Sequence, residues 1–511
     1  MTNENAAVYF VDRHIDEGRG DKVAFREADG EKRALTYGAL QEQAGRWAGA
    51  LHKHGVRREE RVAMIVRDEL EFPVVFWGSL KAGAIPVPLN TLLSASVYEA
   101  ILQDSRASIL VVSKELWETV KPALDGNRYL RTVVVVGDSP EGAESYEDFV
   151  SDAEVEETCD ASADELAFWL YSSGSTGTPK GVRHVHGSLK ATADTFGAQV
   201  LGIREEDTVF SVAKMFFAYG LGNAMSFPMS VGATCVIFGG RPTPDSVSDI
   251  LANEKPTVFC AVPTLYAGMV AAQEKSGEAP VHNVRICTSA GEALPREVGE
   301  RWQKVWKAPI VDGVGSTEML HIFLSNTPDD IVYGTSGKAV PGYEVKLVDE
   351  HDEDVAEGDV GELLVRGPSA AEGYWNRRHK SQSTFQGHWT RTGDKYERTP
   401  EGRYVYCGRT DDMFKVSGIW VSPFEVEQAL VDHPQILEAA VVARADEKDL
   451  IKPAAFVVLK EGVADLSADD IKDFVKEKIG MWKYPRWVDV VDELPKTATG
   501  KIQRFKLREG C

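Results

Sequence analysis

Short β-branched runs alternate with amphipathic stretches along most of this chain, and this alternation constrains its fold more than any other feature. Seven runs have the composition of buried strands: Arg61–Val66, Ile109–Val112, Arg131–Val136, Thr208–Ser211, Thr234–Phe238, Thr257–Ala261 and Val284–Thr288. Four intervening stretches have helical periodicity: Leu40–His54, Glu71–Ala82, Val97–Ser105 and Pro295–Val305. Strands that alternate with helices predict α/β layers with largely parallel sheets.

The pattern changes twice toward the C-terminus. Between Tyr343 and Arg366, the runs Glu344–Val348 and Glu362–Val365 predict antiparallel strands of a small β subdomain. After Gly408 the chain has elements of its own, with helices at Val426–Val431 and Ala468–Lys478 and strands at Ile436–Ala443 and Ala454–Leu459. We therefore predict an α/β protein. It has a large N-terminal domain of layered sheets and helices, with the small β subdomain, over residues 1–410, and a small mobile α+β C-terminal domain over residues 411–511, joined at Arg409–Asp412.

Composition excludes several classes of partner. A chain of 511 residues is expected to form two or more domains, and its net charge of −22 argues against nonspecific binding of DNA or RNA. The six cysteines include no C-x-x-C pair, which predicts reduced thiols and neither a disulfide framework nor a zinc site. No signal peptide is visible, and no apolar stretch approaches the roughly 18 residues of a membrane helix. We expect a cytoplasmic protein with no nucleic-acid or membrane partner.

The run Tyr171–Gly181 combines hydroxyl side chains, glycines, a proline and a lysine just after an apolar stretch. Such a segment cannot fill a core, but its backbone N–H groups, hydroxyls and Lys180 can surround a polyanion. It is not a Walker A loop, because Pro179 replaces the second glycine and Gly181 replaces the Mg²⁺-binding hydroxyl. A Ser/Gly linker is the structural alternative, and the strand-like segment before the run weighs against it. We predict a phosphate-binding loop.

Five further clusters can carry chemistry: Ser289–Pro295, Asp312–Glu318, Trp389–Asp394, Gly408–Gly418 and Leu494–Ile502. Small residues in the first would let a flat ring lie on the backbone. In the second, a Gly-rich turn precedes a hydroxyl for a phosphate oxygen and a carboxylate, Glu318, for Mg²⁺. In the third, Asp394 presents a carboxylate at a turn, suited to two vicinal ribose hydroxyls. The fourth lies at the predicted domain junction, and the fifth places a lysine in a turn.

Each cluster also has an ordinary structural explanation when taken alone. The first three can be a strand-to-helix turn, a helix cap and an Asx turn, and Lys501 can be a solvated surface lysine. Together and in this order, they resemble the superfamily of adenylate-forming enzymes, which includes acyl- and aryl-CoA ligases, peptide-synthetase adenylation domains and firefly-type luciferases. The match runs from about Thr36 to Leu507. The segments FFAYGLGNAMSFPMSVGA, GSTEMLHIFLSN, TRTGDKYER, GRTDDMFKVSGIWVSPFE and LPKTATGKIQRFKLRE look most like benzoate-CoA ligases and their hydroxy- and aminobenzoate relatives.

The resemblance implies a role for each matching residue. The residues implied for the β- and γ-phosphates of ATP are Ser172, Ser173, Thr176 and Lys180. Those implied for adenine are Gly291, Glu292, Asp312 and Gly313, with Thr317 on the α-phosphate, Glu318 on Mg²⁺, and Asp394 and Arg409 on the ribose. Lys501 would bridge the carboxylate and the α-phosphate during adenylation, Asp411 would be the hinge, and Ser417, Gly418 and Ile419 would line the pantetheine channel of coenzyme A. The implied catalytic set is Lys501, Thr317, Glu318 and Lys180.

The segment Phe216–Gly220 supplies aromatic rings beside small residues, which suits a flat aromatic acid better than a long flexible chain. Core packing is the structural alternative for its two phenylalanines. The resemblance favours Ala218, Tyr219, His321 and Ile322 as residues of the acyl pocket.

The expected function is therefore ATP-dependent ligation of benzoate, or a closely related aromatic carboxylate, to coenzyme A through an aroyl-AMP intermediate. A hydroxybenzoate- or 2-aminobenzoate-CoA ligase is the main alternative, followed by a luciferase-like oxygenase and a non-catalytic nucleotide-binding protein. A peptide-synthetase adenylation domain is disfavoured because Met215–Gly220 contains no carboxylate for an ammonium group. The expected partners are the aromatic acid, ATP with Mg²⁺, and coenzyme A. A homodimer is one assembly open to such a chain, and the sequence does not decide its oligomeric state.

Overall fold

The fold is that of a computed structural model, which describes residues 3–173, 179–410, 412–416, 419–447, 450–460, 462–463, 466–480, 483–496 and 502–509. The side chains of residues 173, 415, 419, 420, 505 and 509 are not part of this description.

The strands are short, as expected for alternating α/β layers. Their bounds are β1 Val23–Glu27, β2 Ala34–Thr36, β3 Arg61–Ile65, β4 Ile85–Pro88, β5 Ile109–Ser113, β6 Thr132–Val136, β7 Glu144–Ser145, β8 Leu166–Ser173, β9 Pro179–Val185, β10 Thr208–Ser211, β11 Thr234–Ile237, β12 Val258–Ala261, β13 Ile286–Ser289, β14 Ile310–Gly315, β15 Ile322–Ser325, β16 Lys338–Ala339, β17 Glu344–Val348, β18 Val360–Arg366, β19 Gly373–Tyr374, β20 Phe385–Gln386, β21 Trp389–Arg398, β22 Tyr404–Arg409, β23 Phe414–Val416, β24 Ile419–Val421, β25 Ile436–Ala445, β26 Ile451–Leu459 and β27 Trp487–Val490.

The α-helices are α1 Arg13–Asp16, α2 Tyr37–Lys53, α3 Glu71–Lys81, α4 Ala95–Ser105, α5 Trp117–Val120, α6 Tyr146–Ser151, α7 His186–Thr192, α8 Ala218–Leu221, α9 Phe227–Val231, α10 Pro244–Glu254, α11 Pro263–Ser276, α12 Arg296–Trp306, α13 Arg378–Thr384, α14 Pro423–Val431, α15 Ala468–Ile479 and α16 Arg504–Glu509. Three π-helical turns lie at Val8–Asp12, Ala193–Val200 and Gly222–Ser226, and 3₁₀ turns lie at Lys114–Leu116 and Lys121–Leu124.

The described chain divides into two compact units, Met1–Val345 with Val365–Thr390, and Lys346–Leu364 with Arg391–Cys511. The predicted division at residues 410 and 411 stays a prediction. The first unit is built on a nine-stranded sheet in the order β16-β15-β14-β13-β12-β10-β11-β1-β2. The pairs from β1 through β14 along this order are parallel, and β2, β15 and β16 add antiparallel edges.

A second sheet of the first unit has five parallel strands in the order β4-β3-β5-β6-β7. All seven predicted strands are present within two residues of their predicted bounds, and the four predicted helices are α2, α3, α4 and α12. Both observations confirm the α/β layers with largely parallel sheets. The pattern predicted them because a strand covered by helices on both faces is a near-continuous apolar run.

The core of the nine-stranded sheet includes α11 and α12, whose apolar side chains cover the strands. Trp302 and Trp306, one helical turn apart on α12, stack with ring centroids 4.6 Å apart, and Trp302 also meets Tyr266 of α11 edge to face. This packing fixes β13 and β14 beneath α12, and the carboxyl ends of those two strands carry part of the candidate site.

Strands β17, β18, β21 and β22 pair in that order, and most of their residues belong to the second unit. That unit also contains the hairpin β23-β24 and the sheet β25-β26-β27. Helices α14 and α15 cover one face of that last sheet around a core that includes Val426, Val441 and Val475. The predicted elements of the small α+β domain are all present, and β17 has the predicted bounds.

An ion-pair network fixes the C-terminal helix α16 within the second unit. Arg504 donates from Nη2 to both carboxylate oxygens of Glu427, at 2.9 and 2.7 Å, and from Nη1 to Asp412 at 3.4 Å. Arg508 also donates to Asp412. Glu427, on α14, is buried and accepts a further bond from the Val441 amide at 2.7 Å. Because buried charges need partners, this network determines where the residues around Arg504 sit on the unit.

The cysteines of the described chain are free thiols, as predicted, and Cys235, Cys260 and Cys287 are buried in the strands. Within the same residues, we found no helix that combines the length and the apolarity needed to cross a bilayer.

Candidate functional site

The predicted phosphate-binding run lies in an antiparallel hairpin of the first unit. Strands β8 and β9 pair so that Ser172 stands opposite Lys180 and Ser173 opposite Pro179. Strand β19 pairs on the other side of β9, with Tyr374 opposite Val182. This pairing places Ser172 and Lys180 side by side near the end of the described part of the two strands. Thr176 lies outside the described residues, as does the side chain of Ser173.

Lys180 and Glu318 are joined through an aromatic residue that the sequence analysis missed. The Lys180 ammonium lies 4.7 Å from the centroid of the Tyr374 ring, and the Tyr374 hydroxyl donates to Glu318 Oε1 at 2.7 Å. An aromatic face attracts an ammonium group, and a phenol is a strong donor to a carboxylate. The only sequence signal for Tyr374 is a tyrosine after a glycine, which does not show that β19 returns to β9.

The segment from Ser316 to His321 connects β14 to β15 and carries Thr317 and Glu318. Its backbone is held locally, because Ser316 Oγ accepts from the Met319 amide at 3.2 Å and Leu320 adopts a left-handed φ of +65°. His184 of β9 fixes the segment from outside, with Nε2 2.8 Å from the Thr317 carbonyl oxygen. Burial lowers the pKa of His184 to about 4, so the ring is neutral and Nε2 donates to the carbonyl. His184 was also missed by the sequence analysis.

The residues predicted to frame adenine lie at the carboxyl ends of two parallel neighbours, β13 and β14. Ser289 stands opposite Asp312, Gly291 and Glu292 follow β13, and Gly313 follows Asp312. This edge of an α/β sheet is where such folds bind ligands. Gly291 is exposed and has a φ of +94°, a conformation that disfavours any other residue. The arrangement brings these four residues to one edge.

Within that group the structure corrects one expectation and adds one property. The expected Gly-rich turn is wrong, because Gly313 and Gly315 belong to β14. The chain leaves the strand only at Ser316, and the segment from there to His321 contains no glycine. A β-carbon at Gly313 would lie 2.7 Å from both the Ile322 side chain and the Leu324 carbonyl, so close pairing of β14 with β15 requires this glycine. Asp312 is buried, and burial raises the pKa of its carboxyl group to about 8.

The predicted acyl-pocket residues Tyr219 and His321 come together around a cluster of aromatic rings. The His321 ring centroid lies 4.5 Å from Phe227, 5.2 Å from Phe196 and 5.6 Å from Tyr219. Ala218 begins α8, next to Tyr219, and Ile322 follows His321 as the buried first residue of β15. Phe196 and Phe227 were missed, because aromatic residues in helical stretches have the same pattern as ordinary core residues.

Hydrogen bonds fix the orientation of both polar rings in this cluster. The Tyr219 hydroxyl lies 2.9 Å from the Thr288 carbonyl oxygen, to which it donates, and burial holds its pKa well above the usual value. Burial lowers the pKa of His321 to about 3, so its imidazole is neutral, and Nε2 donates to the Tyr219 carbonyl at 3.3 Å. Among the described residues Nδ1 has no hydrogen-bond partner. This nitrogen is therefore a buried acceptor open to a donor.

Packing at two glycines brings the cluster together. A β-carbon at Gly220 would lie 2.0 Å from the Lys214 carbonyl oxygen, and one at Gly222 would lie 2.5 Å from His321 Cδ2. Phe216 is buried and its ring contacts Phe217 at 4.4 Å. The core alternative therefore describes Phe216 correctly.

In the second unit, Asp394 and Arg409 are cross-strand neighbours on β21 and β22. Arg409 Nη1 donates to Asp394 Oδ1 at 2.9 Å. The expectation that Asp394 sits at a turn is wrong, because it lies inside a ten-residue strand, where pairing with β22 outweighs the turn tendency of Gly393-Asp394. The pairing nevertheless brings together the two residues implied for the ribose.

Five predicted residues lie outside the described parts of the chain: Thr176, already noted, and Asp411, Ser417, Gly418 and Lys501. Ile419 is described only as the first residue of β24. The hinge, the pantetheine channel and the bridging lysine accordingly stay predictions.

The carboxylate of Glu318 fits a Mg²⁺ ion that arrives with a nucleotide. Mg²⁺ is commonly held by one or two carboxylates together with substrate phosphates and water. In the part of the chain that the structure describes, no group of three or more His, Cys, Asp or Glu side chains could form an all-protein cage. Glu318 accepts from Tyr374 through Oε1. Glu318 would therefore be the residue that holds Mg²⁺ arriving with a nucleotide.

Comparison with known proteins agrees with this arrangement. A family model described as "AMP-binding enzyme" matches residues 12–375, and one described as "AMP-binding enzyme C-terminal domain" matches residues 425–501. The 4-hydroxybenzoate–CoA/benzoate–CoA ligase of Rhodopseudomonas palustris is 50% identical over 514 residues, covering 100% of this chain and 94% of that ligase.

Two solved structures are similar over nearly their whole length. A benzoate CoA ligase from Burkholderia xenovorans LB400 superposes with a TM-score of 0.90 at 47% identity, covering 99% of this chain and 100% of that one. The anthranilate CoA ligase AuaEII, in complex with anthranoyl-AMP, superposes with a TM-score of 0.94 at 41% identity, covering 100% and 98%.

Proposed function

Since this chain belongs to the AMP-binding enzyme family, we propose that it joins benzoate, or a closely related aromatic carboxylate, to coenzyme A at the expense of ATP. The proposal rests on the segment 316–322, in which residues for the phosphate, the metal and the aromatic ring lie close together along the chain. Within seven positions it supplies Thr317 and Glu318 for phosphate and metal, and His321 and Ile322 for the aromatic pocket. A carboxylate held by the ring cluster would therefore lie close to the nucleotide phosphates.

In the first step a carboxylate oxygen attacks the α-phosphorus of ATP. The bond between that phosphorus and the bridging oxygen breaks, and pyrophosphate leaves with its electrons. In the second step the thiolate of coenzyme A attacks the carbonyl carbon of the aroyl-AMP, and AMP leaves. Both steps develop negative charge, so catalysis is expected to come from positioned cations and donors.

The residues of this chain divide that task. Lys180 and the hydroxyl of Ser172 bind the β- and γ-phosphates, and the Thr317 hydroxyl binds the α-phosphate. Lys501 offsets the repulsion between the substrate carboxylate and the α-phosphate. Glu318 would hold Mg²⁺, which would supply further positive charge to the phosphates. Neutral His321 and Tyr219 border a flat ring, which they contact without introducing a charge.

The first test is the reaction itself. Purified protein given benzoate, ATP, Mg²⁺ and coenzyme A should yield AMP, pyrophosphate and benzoyl-CoA, and without coenzyme A it should yield benzoyl-AMP. A nucleotide-binding protein without catalysis would release no pyrophosphate, and a luciferase-like oxygenase would consume O₂ without a requirement for coenzyme A. Either result would reject the proposal.

The second test separates the two steps. In Lys501→Ala, adenylation should fall about 10²–10³-fold or more, as on loss of an oxyanion donor, while thioester formation from synthetic benzoyl-AMP persists. The matched control is Lys496→Ala, since Lys496 is an exposed lysine of the same stretch whose ammonium pairs with Glu438 at 2.7 Å. We propose that the C-terminal domain rotates about Asp411 after adenylation, which would remove Lys501 from the site before thioester formation. This proposal is wrong if both half-reactions fall equally in Lys501→Ala.

Ligation of a hydroxy- or aminobenzoate to coenzyme A is the second candidate function. The unpartnered acceptor His321 Nδ1 favours substrates with a ring donor, such as a hydroxyl or amino group, and similar ligases are named for 4-hydroxybenzoate and anthranilate. A site that bonds a substrate hydroxyl rejects the analogue without it far more strongly than an apolar site rejects an added hydroxyl. The values of kcat/KM for benzoate and its 2-amino, 3-hydroxy and 4-hydroxy derivatives would decide among them.

A further inference from the structure

Tyr374 stands at the centre of the candidate phosphate and metal site, although no role was expected for it. It is buried, with 4% of its surface exposed. Because Tyr374 pairs with Val182 on β9, and Lys180 is two residues from Val182, the side chains of Tyr374 and Lys180 share a face of the sheet. The 4.7 Å distance between the Lys180 ammonium and the ring centroid follows from this geometry.

The other edge of Tyr374 reaches Glu318. Its hydroxyl donates to Glu318 Oε1 at 2.7 Å, and the Ala371 amide, three residues earlier, donates to the Glu318 carbonyl oxygen at 2.8 Å. One short segment therefore holds both the side chain and the backbone of Glu318. The ring position is itself fixed, because the Tyr374 amide donates to Ser381 Oγ at 3.0 Å and Phe385 packs 5.4 Å from the ring.

We propose that Tyr374 is a positioning residue that aligns the Glu318 carboxylate for the metal and the Lys180 ammonium for the phosphates. This inference rests on the proposed function, in which Glu318 and Lys180 bind Mg²⁺ and ATP. A single donor on Oε1 restricts rotation of the carboxylate and leaves Oε2 available to a cation. Partners of this kind orient metal ligands in many proteins, and their loss lowers metal affinity by about 10- to 100-fold.

The two contacts of Tyr374 can be removed separately. Tyr374→Phe deletes the bond to Glu318 and keeps the ring under Lys180, whereas Tyr374→Leu deletes both. The control is Tyr37→Phe, which removes the hydroxyl of another buried tyrosine, bonded at 2.8 Å to the Ala233 carbonyl, with no contact to Glu318 or Lys180. All variants are prepared as the full chain, and their melting temperatures are compared with that of the original protein.

The direct measurement is metal binding. Mn²⁺ is titrated into enzyme saturated with the non-hydrolysable nucleotide α,β-methylene-ATP and followed by electron paramagnetic resonance. We expect the dissociation constant of Mn²⁺ to rise about 10- to 100-fold in Tyr374→Phe and to stay within twofold in Tyr37→Phe. The KM for ATP should be two- to fivefold higher in Tyr374→Leu than in Tyr374→Phe, because only the leucine variant loses the cation–π contact with Lys180.

The half-reactions complete the test. Thioester formation from synthetic benzoyl-AMP and coenzyme A involves no metal-bound triphosphate, so it should stay within twofold in Tyr374→Phe while adenylation falls. The inference is overturned if Mn²⁺ affinity is unchanged, or if both half-reactions fall together, since the tyrosine would then serve only the fold. If the unmodified protein forms no benzoyl-CoA, the proposed function is rejected. The Mn²⁺ titration would still test whether Tyr374 positions the metal-binding carboxylate.

Discussion

Gly222 offers a test of the ring cluster by packing alone. It lies in a π-helical turn with a φ of −64°, so alanine fits its backbone conformation. The added β-carbon would lie 2.5 Å from His321 Cδ2, 2.7 Å from Nε2 and 3.0 Å from the Phe227 ring. Since ordinary contacts begin at 3.4 Å, the imidazole of His321 must move by about 1 Å.

That displacement has a calculable effect. Overpacking a buried site typically costs about 1–3 kcal/mol, and the gain from replacing a helical glycine offsets less than about 1 kcal/mol. The 3.3 Å hydrogen bond from His321 Nε2 to the Tyr219 carbonyl is lost when the ring moves. A misplacement of about 1 Å at a site can lower a rate by about 10²-fold. We therefore expect kcat/KM for benzoate to fall about 10- to 100-fold in Gly222→Ala, while the KM for ATP stays within twofold.

The assay is a double-mutant cycle with steady-state kinetics for the acid and for ATP. In a His321→Ala background the same Gly222→Ala change should cost much less, because the clashing ring is gone. The control is Gly268→Ala on α11, where the nearest atom to the new β-carbon is Pro244 Cγ at 3.1 Å, outside the ring cluster. An equal loss in both backgrounds, or no loss in the single variant, would refute the assignment of His321 to the acyl pocket.

Three further predictions concern stability. Burial raises the pKa of Asp312 to about 8. The resulting contribution to the free energy of unfolding is fully present below about pH 4 and is lost as the pH rises through 8. The melting temperature of Asp312→Asn minus that of the original protein should therefore increase from pH 5 to pH 8.5. A difference that does not change with pH would contradict this. Arg504→Met leaves the buried Glu427 carboxylate without its main cation, so the second unit should lose about 3–5 kcal/mol in urea unfolding, partly restored by adding Glu427→Gln. Because the chain carries a net charge of −22, its melting temperature should rise between 0.1 and about 1 M NaCl, as the screening length falls from about 10 to 3 Å; a flat or falling curve would argue against self-repulsion.

The sequence was sufficient for the architecture because buried parallel strands produce an unmistakable local pattern. Thr208–Ser211 has the bounds that its apolar run predicted, as does Glu344–Val348. Asp394 shows where local reasoning failed. Gly393-Asp394 has the composition of a turn, but pairing with β22 holds it in a strand. A local propensity of this kind is weak compared with a ladder of hydrogen bonds to a neighbouring strand.

For the site, the sequence indicated groups that motifs carry and missed those that only tertiary contacts create. Glu318, Lys180 and Thr317 lie in recognisable segments. Tyr374 contacts the first two across the fold, and His184 bonds the carbonyl of the third. A single histidine in a strand of mixed polarity such as β9 has no distinguishing pattern. The neutral state of His321 likewise depends on burial by Phe196 and Phe227, which come from two different helical segments.

The pairing of β8 with β9 has a consequence for how this family of chains can vary. Side chains of a strand alternate with a period of two, so one residue inserted between Lys180 and Val182 would turn the lysine away from Tyr374 and toward the opposite side of the sheet. Two inserted residues would restore the direction but shift the lysine along the strand. The contact between Lys180 and Tyr374 therefore fixes the parity of the strand between Lys180 and Val182.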